Sequence, residues 1–120
     1  MTPAPRIAFY APMKSPDHPT PSGDREIARL TIRALETAGF AVDLASDLRI
    51  FDKDGDPDLQ ASLVTKADQI AREISTRYRN APPDLWFTYH CYYKAPDLIG
   101  PKVSAALGCL LYTSPSPRDA

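Results

Sequence analysis

The sequence predicts an α/β fold with a parallel sheet. Two observations predict it: short apolar segments alternate with longer segments of helical periodicity, and their order is strand, helix, strand, helix, strand, helix. This alternation is typical of parallel strands joined by right-handed helical crossovers. The third apolar segment is hydrophobic at successive positions, as expected of a strand that helices cover on both faces.

The first strand is predicted at residues 6–13, a short apolar segment bounded by prolines. Residues 14–23 form a loop, because three prolines there remove backbone donors and disfavour helix in the residues that precede them. The second strand is predicted at residues 40–46, followed by an acidic turn at residues 52–58.

The first helix is predicted to begin at residues 22–24, where Ser22 or Asp24 can cap it. Gly39 is expected to end it, because glycine adopts the left-handed conformation without strain. Spacings of three and four predict one buried stripe, which consists of Ile27, Leu30, Thr31, Ala34, Leu35 and Ala38.

The second helix is predicted at residues 57–79 and the third strand at residues 84–90. The predicted buried face of that helix consists of Leu59, Leu63, Ala67, Ile70, Ile74 and Tyr78. The third helix is predicted at residues 98–107, with Ile99, Val103 and Leu107 inward and Gly108 at its end.

Composition indicates an ordinary globular protein, with 43% hydrophobic and 24% charged residues. The formal net charge of −1 gives no general attraction to nucleic acid or to anionic membranes. No signal peptide precedes the first strand, and no segment approaches the ~20 apolar residues of a membrane span. We therefore expect a cytoplasmic protein, in which Cys91 is a lone thiol.

Polar and aromatic residues follow the first and third strands, whose carboxyl ends bound the ligand crevice in open parallel sheets. The candidate site residues are Ser22, Gly23, Asp24, Arg25, His90, Tyr93 and Lys94. Gly23 can admit a ligand to the start of a helix, where the dipole favours an anion, or it can simply serve a turn. His90 can bind a sugar hydroxyl or act as an acid or base, or it can be structural.

Several other kinds of site are excluded by motif. The chain has neither a G-x-G-x-x-G fingerprint, nor a P-loop, nor a G-x-S-x-G nucleophile elbow. Asp52, Asp54 and Asp56 do not form an EF-hand, because Gly55 is too early and Leu63 stands where the bidentate Glu belongs. We therefore predict no metal site and no cofactor.

Three segments resemble the N-terminal half of bacterial GT-B glycosyltransferases, in the broad group of families 1 and 4. They read RIAFYAPMKSPDHPTPSGDREIAR, ALETAGFAVDLAS and PDLWFTYHCYYKAPDLIGPKVSAALG. Typical members carry a glycine-containing loop after the first strand, here Ser22 to Asp24, and a strand that ends in histidine, here His90.

The resemblance implies an incomplete Rossmann-like sheet of three main strands and three helices, in local strand order 2-1-3. It also implies transfer of a sugar from a nucleotide-sugar donor to a sugar or glycan acceptor. His90 is the expected catalytic residue, and Gly23, Arg25 and Lys94 are expected to approach phosphate or acceptor. The alternative is a non-catalytic flavodoxin-like or response-regulator-like binding module, although the acidic residues of a response regulator are missing.

The C-terminal residues 109–120 form a segment of a different kind. One codon choice for residues 109–119 reproduces the transposase mosaic end and adapter of sequencing libraries, read in frame. We therefore expect residues 1–108 to be a partial acceptor-side domain and residues 109–120 to be non-native or disordered. Without a fourth strand, the third strand would be a bare apolar edge, and the fragment would be inactive and marginally stable or prone to aggregate.

Overall fold

The computed structural model describes residues 4–12, 17, 19, 22–50, 55–91 and 96–115. Strands and helices alternate along these residues. The strands are β1 (Arg6–Tyr10), β2 (Ala41–Ser46), β3 (Leu85–Cys91) and β4 (Leu110–Pro115). The helices are α1 (Gly23–Thr37), α2 (Pro57–Arg77) and α3 (Gly100–Leu107). The predicted α/β fold is confirmed.

The strands form one parallel sheet in the order β2-β1-β3-β4. β1 therefore lies between β2 and β3, which confirms the local order 2-1-3 and a doubly wound, Rossmann-like arrangement. The chain leaves β1 in one direction to form β2 and then returns past β1 to form β3. The point where the direction reverses lies between β1 and β3.

Helices cover both faces of the sheet. On one face α2 and α3 pack on a core that includes Tyr10, Trp86 and Val103. On the other face α1 packs through Ala28 against Phe9, Ala11 and Tyr89. This division of two helices and one follows from the direction in which each crossover travels along the sheet.

The predicted stripe of α1 is largely wrong. Ile27 and Leu30 are 49% and 57% exposed, and the residues turned towards the sheet are Ala28 and Ile32. The true contact lies about a third of a turn away from the centre of the predicted stripe, because each residue advances a helix by about 100°. The small side chain of Ala28 lets α1 approach the aromatic rings of β1 and β3 closely.

The predicted face of α2 is mostly confirmed. Ala67, Ile74 and Tyr78 are buried, and Leu63 and Ile70 pack partly against the same core. The predicted burial of Leu59 is wrong, because this residue lies in the exposed first turn of the helix.

The expected bare edge at β3 is also wrong, because β4 pairs with β3 along its length. The physical reason is the edge itself, whose free backbone groups pair with any nearby segment of strand-forming residues. The sequence LLYTSP is such a segment. Residues 110–115 are therefore ordered as a strand, and the origin of residues 109–120 stays a prediction.

β1 ends at Tyr10, three residues before its predicted end, and the remaining boundaries agree within two residues. Ser22 caps α1, and Gly39 has a φ of 103° just after it. Gly108 ends α3 in the left-handed conformation, with a φ of 69°. None of the helices in the described part of the chain is long and apolar enough to cross a membrane.

Candidate functional site

The carboxyl ends of β1 and β3 lie side by side. Tyr10, the last residue of β1, pairs with Thr88, and β3 continues beyond this pair to Cys91. His90 therefore belongs to the part of β3 that extends past the end of β1. Because β1 and β3 are parallel neighbours, ~4.8 Å apart, the segments that follow them begin at the same end of the sheet, its carboxyl end.

α1 begins at this edge as well. Its C-terminus leads through Gly39 and Phe40 into β2, whose Ala41 pairs with Arg6 at the amino end of β1. Near its start, Ala28 contacts Ala11 and Tyr89 beyond the pairing of β1 with β3. Gly23, the first residue of α1, and His90, in the last part of β3, thus both belong to elements that reach the carboxyl end of the sheet, and their common site stays a prediction.

The side chain of Ser22 caps the start of α1. The Ser22 hydroxyl accepts the backbone N–H of Arg25 at 3.2 Å, and the Ser22 carbonyl accepts that of Glu26 at 3.1 Å. The other N–H groups of a first helical turn point beyond the helix, where an anion can accept them. Ser22 thus contributes by shaping this end of the helix.

Gly23 has space around it. A Cβ atom built there would meet nothing within 4 Å among the described residues, and its φ is not in the left-handed region. Neither strain nor internal crowding therefore requires glycine at this position, in contrast to Gly100 and Gly108.

Arg25 is paired within the chain. Its guanidinium donates to the Glu26 carboxylate at 2.8 and 3.1 Å, and its side chain is only 14% exposed. This hydrogen bond is the main reason that the pKa of Glu26 lies below its usual value. A ligand anion at the start of α1 would therefore compete with Glu26 for the same guanidinium.

Part of the predicted site cannot be followed to its side chains. Tyr93 and Lys94 lie outside the described residues. Asp24 and His90 are placed by their backbone in α1 and β3, and the structure does not describe their side chains. The roles expected of these four residues stay predictions.

The structure adds a carboxylate that the sequence analysis missed. Asp97 follows the connection from β3 and accepts hydrogen bonds from Thr88 and from the backbone N–H groups of Ile99 and Gly100. The signal was an aspartate just before a helix, a usual position for a residue whose side chain caps backbone donors.

A cavity of about 440 Å³ lies at the carboxyl end of β2, on the side of α2. Its lining residues are Asp47, Leu48, Arg49, Ser62, Leu63, Lys66 and Ile70. None of these residues was among the predicted site residues, although the carboxyl end of β2 lies at the same end of the sheet as the predicted site. A larger hollow of about 570 Å³ lies between α2 and α3, on the outer surface of the helices.

Metal ligands are not grouped in the described part of the chain, where no three His, Cys, Asp or Glu side chains are placed to hold one ion.

No family model, no curated protein and no solved structure matches this sequence.

Proposed function

We propose that this chain forms the acceptor-side part of a GT-B glycosyltransferase that moves a sugar from a nucleotide-sugar donor to a sugar or glycan acceptor. The observation that carries the proposal is that the carboxyl ends of β1 and β3 lie side by side. At this end of the sheet Ala28 of α1 packs with Tyr89 of β3, and the glycosyltransferase-like segments carry Gly23 and His90 in the same two elements.

The reaction needs two things from this edge. The acceptor hydroxyl attacks the anomeric carbon of the donor sugar, the bond from that carbon to the phosphate oxygen breaks, and the nucleoside diphosphate leaves with the electron pair. The acceptor must be held in line with this bond, and the negative charge on the leaving group must be stabilised. The acceptor proton passes to a base.

The residues of this chain are suited mainly to holding the acceptor. His90 would orient the acceptor by a hydrogen bond with a sugar hydroxyl, and Tyr93 would stack on a sugar ring. The open start of α1 at Gly23, with Lys94 from the neighbouring loop, would favour the phosphate side of the donor. The partner domain would supply most of the donor site.

The strand order also supports a second candidate, a non-catalytic flavodoxin-like module. Flavodoxin-like domains have the order 2-1-3-4-5 and bind their ligand at the switch between the first and third strands. The order β2-β1-β3-β4 is compatible with that arrangement. A flavin complex would be recognised by visible absorbance after addition of flavin mononucleotide, and a glycosyltransferase would give none.

The test is the natural gene and its product. A second Rossmann-like domain with two glutamates about eight residues apart, encoded downstream, supports the transferase. The intact protein should then transfer labelled sugar from at least one of a panel of nucleotide sugars to a glycan acceptor. A stop codon near residue 120, or a flavin absorbance spectrum, would instead favour the binding module.

A further inference from the structure

Two helices cover one face of the sheet, and one helix covers the other. α2 and α3 pack on the first face, whereas α1 lies on the second face and packs mainly against β2. Four strands spaced ~4.8 Å apart are nearly as wide as two helices of ~10 Å side by side. Among the described residues, the second face is therefore one helix short over β3 and β4.

The uncovered part of this face is apolar. The rings of Phe87 and Tyr112 lie there with their centroids 5.0 Å apart. Leu85 and Leu110 pair with each other two residues earlier in the two strands, so their side chains share the same face. The side chains of Leu110 and Tyr112 are exposed. β3 and β4 thus present a strip of four large apolar side chains beside α1.

The flank of α1 next to this strip is apolar as well. Residues advance around a helix by about 100°, so Ile27 and Ala34 lie about a third of a turn from Ala28, on the side of β3 in a right-handed crossover. Both residues are exposed. Arg29 and Arg33 lie on the opposite flank, towards β2. The residues that do not meet the sheet therefore form a second apolar face of this helix.

The strip and the flank together form one uncharged surface, the α1-side surface, which consists of Ile27, Ala34, Leu85, Phe87, Leu110 and Tyr112. We propose that one amphipathic α-helix of the intact polypeptide covers it. Exposed apolar patches of this kind mark interaction sites, and an uncharged surface requires an apolar stripe on its occupant.

The shape of the surface favours a helix of the same polypeptide over a second copy of the chain. α1 stands above the sheet beside the strip, so the recess is one helix wide and does not admit a second sheet. The helices of a second copy already turn their apolar faces to their own sheet. The source of the helix rests on the proposed function, which requires a longer polypeptide, whereas the uncovered surface does not.

The handedness of the fold narrows the choice of helix. α2 and α3 lie on the face that right-handed crossovers occupy when strands are added in the direction from β1 to β4. A helix that joined β4 to a further strand beside it would lie on that face too. The occupant of the α1-side surface is therefore a helix that adds no strand next to β4, such as one that follows the last strand.

Cysteine labelling measures whether the surface is covered. Ile27→Cys places a thiol on the α1-side surface, and Arg33→Cys places one on the opposite flank of α1. In the 120-residue chain both should react readily with a maleimide, and peptide mass spectrometry separates them from Cys91 and Cys109. In the intact polypeptide Ile27→Cys should react at least about tenfold more slowly, while Arg33→Cys keeps its rate.

Ala34→Cys, on the same flank, repeats the test if circular dichroism shows that Ile27→Cys alters the fold. Equal rates for the flank variant in the 120-residue chain and in the intact polypeptide would overturn the proposal. Protection that already appears in the 120-residue chain and grows with its concentration would assign the surface to a second copy, and would overturn the proposal as well.

Sugar transfer by the same intact preparations separates this inference from the proposed function. If Ile27→Cys is protected but the intact protein transfers no sugar, the helix docking stands and the proposed function fails. If the intact protein transfers sugar but Ile27→Cys reacts as fast as in the 120-residue chain, the proposed function stands and the docking fails.

Discussion

Tyr10 pairs with Thr88 where β1 ends. This pair lies between β1 and β3, where the direction in which the chain adds strands to the sheet reverses. Its two side chains also lie on one face, where the Tyr10 ring meets the edge of Trp86 at 6.2 Å between centroids. The Tyr10 hydroxyl donates to the Leu48 carbonyl at 2.8 Å. The residues next to the switch point are therefore held by buried contacts from β3 and from the segment that follows β2.

Gly100→Ala should destabilise the protein by about 1–3 kcal/mol, because the new methyl group would overlap the Asp97 carboxylate and the Trp86 ring. Gly23→Ala is the matched control, since its Cβ would meet none of the described residues within 4 Å and helical alanine is favoured over glycine. Urea unfolding followed by Trp86 fluorescence measures both. Equal stability of the two variants would contradict the packing described for Gly100.

Tyr78 should make stability depend on pH in the alkaline range. Burial, followed by its hydrogen bond to Asp43, raises the pKa of Tyr78 from 10.0 to about 12. The folded state therefore holds the phenol proton more tightly than the unfolded state does. The resulting stabilisation is complete below pH 10 and disappears as the pH rises towards about 12.

Tyr78→Phe tests this dependence, because it removes the titrating hydroxyl and keeps the ring. The free energy of unfolding of the wild type should fall more steeply between pH 10 and 12 than that of the variant. Identical slopes would show that the raised pKa is absent.

The exposed apolar edge at β4 should promote self-association. Leu110 and Tyr112 are 73% and 52% exposed, and β4 is the last strand of the sheet among the described residues. An uncharged edge strand offers free backbone groups to a second chain. Tyr112→Lys should therefore reduce the apparent mass measured by light scattering after size-exclusion chromatography.

The matched control is Val64→Lys, which places the same charge at an exposed apolar residue of α2. This variant should associate like the wild type, because a helix surface has no free backbone groups. Equal loss of association in both variants would attribute the effect to net charge and not to the edge.

The order of the elements could be predicted because it depends on local periodicity. The orientation of α1 could not, because the apolar residues of this helix lie on two overlapping faces. The sequence does not say whether Ile27 and Leu30 or Ala28 and Ile32 meet the sheet, since the choice depends on the aromatic rings of β1 and β3.

For the candidate site, the sequence predicts only the end of the sheet at which it lies. The confirmed order of β2, β1 and β3 is compatible with a site at the carboxyl ends of β1 and β3, and the roles of Gly23 and His90 stay predictions. The bond from Thr88 to Asp97 joins residues nine positions apart across a strand and a loop, and no repeat in the sequence reveals such a contact. β4 was missed because its sequence resembled an adapter, whereas pairing depends only on strand propensity and a free edge.

The most direct test of the sugar-transfer proposal is the turnover of the intact protein with and without the His90 imidazole. A hydrogen bond made mainly in the transition state contributes roughly 10- to 100-fold in rate, so His90→Ala should lower kcat by at least about tenfold at saturating acceptor. Arg72→Ala, on the outer surface between α2 and α3, should leave kcat unchanged. A His90→Ala enzyme with the kcat of the wild type would contradict a catalytic site at the edge shared by β1 and β3.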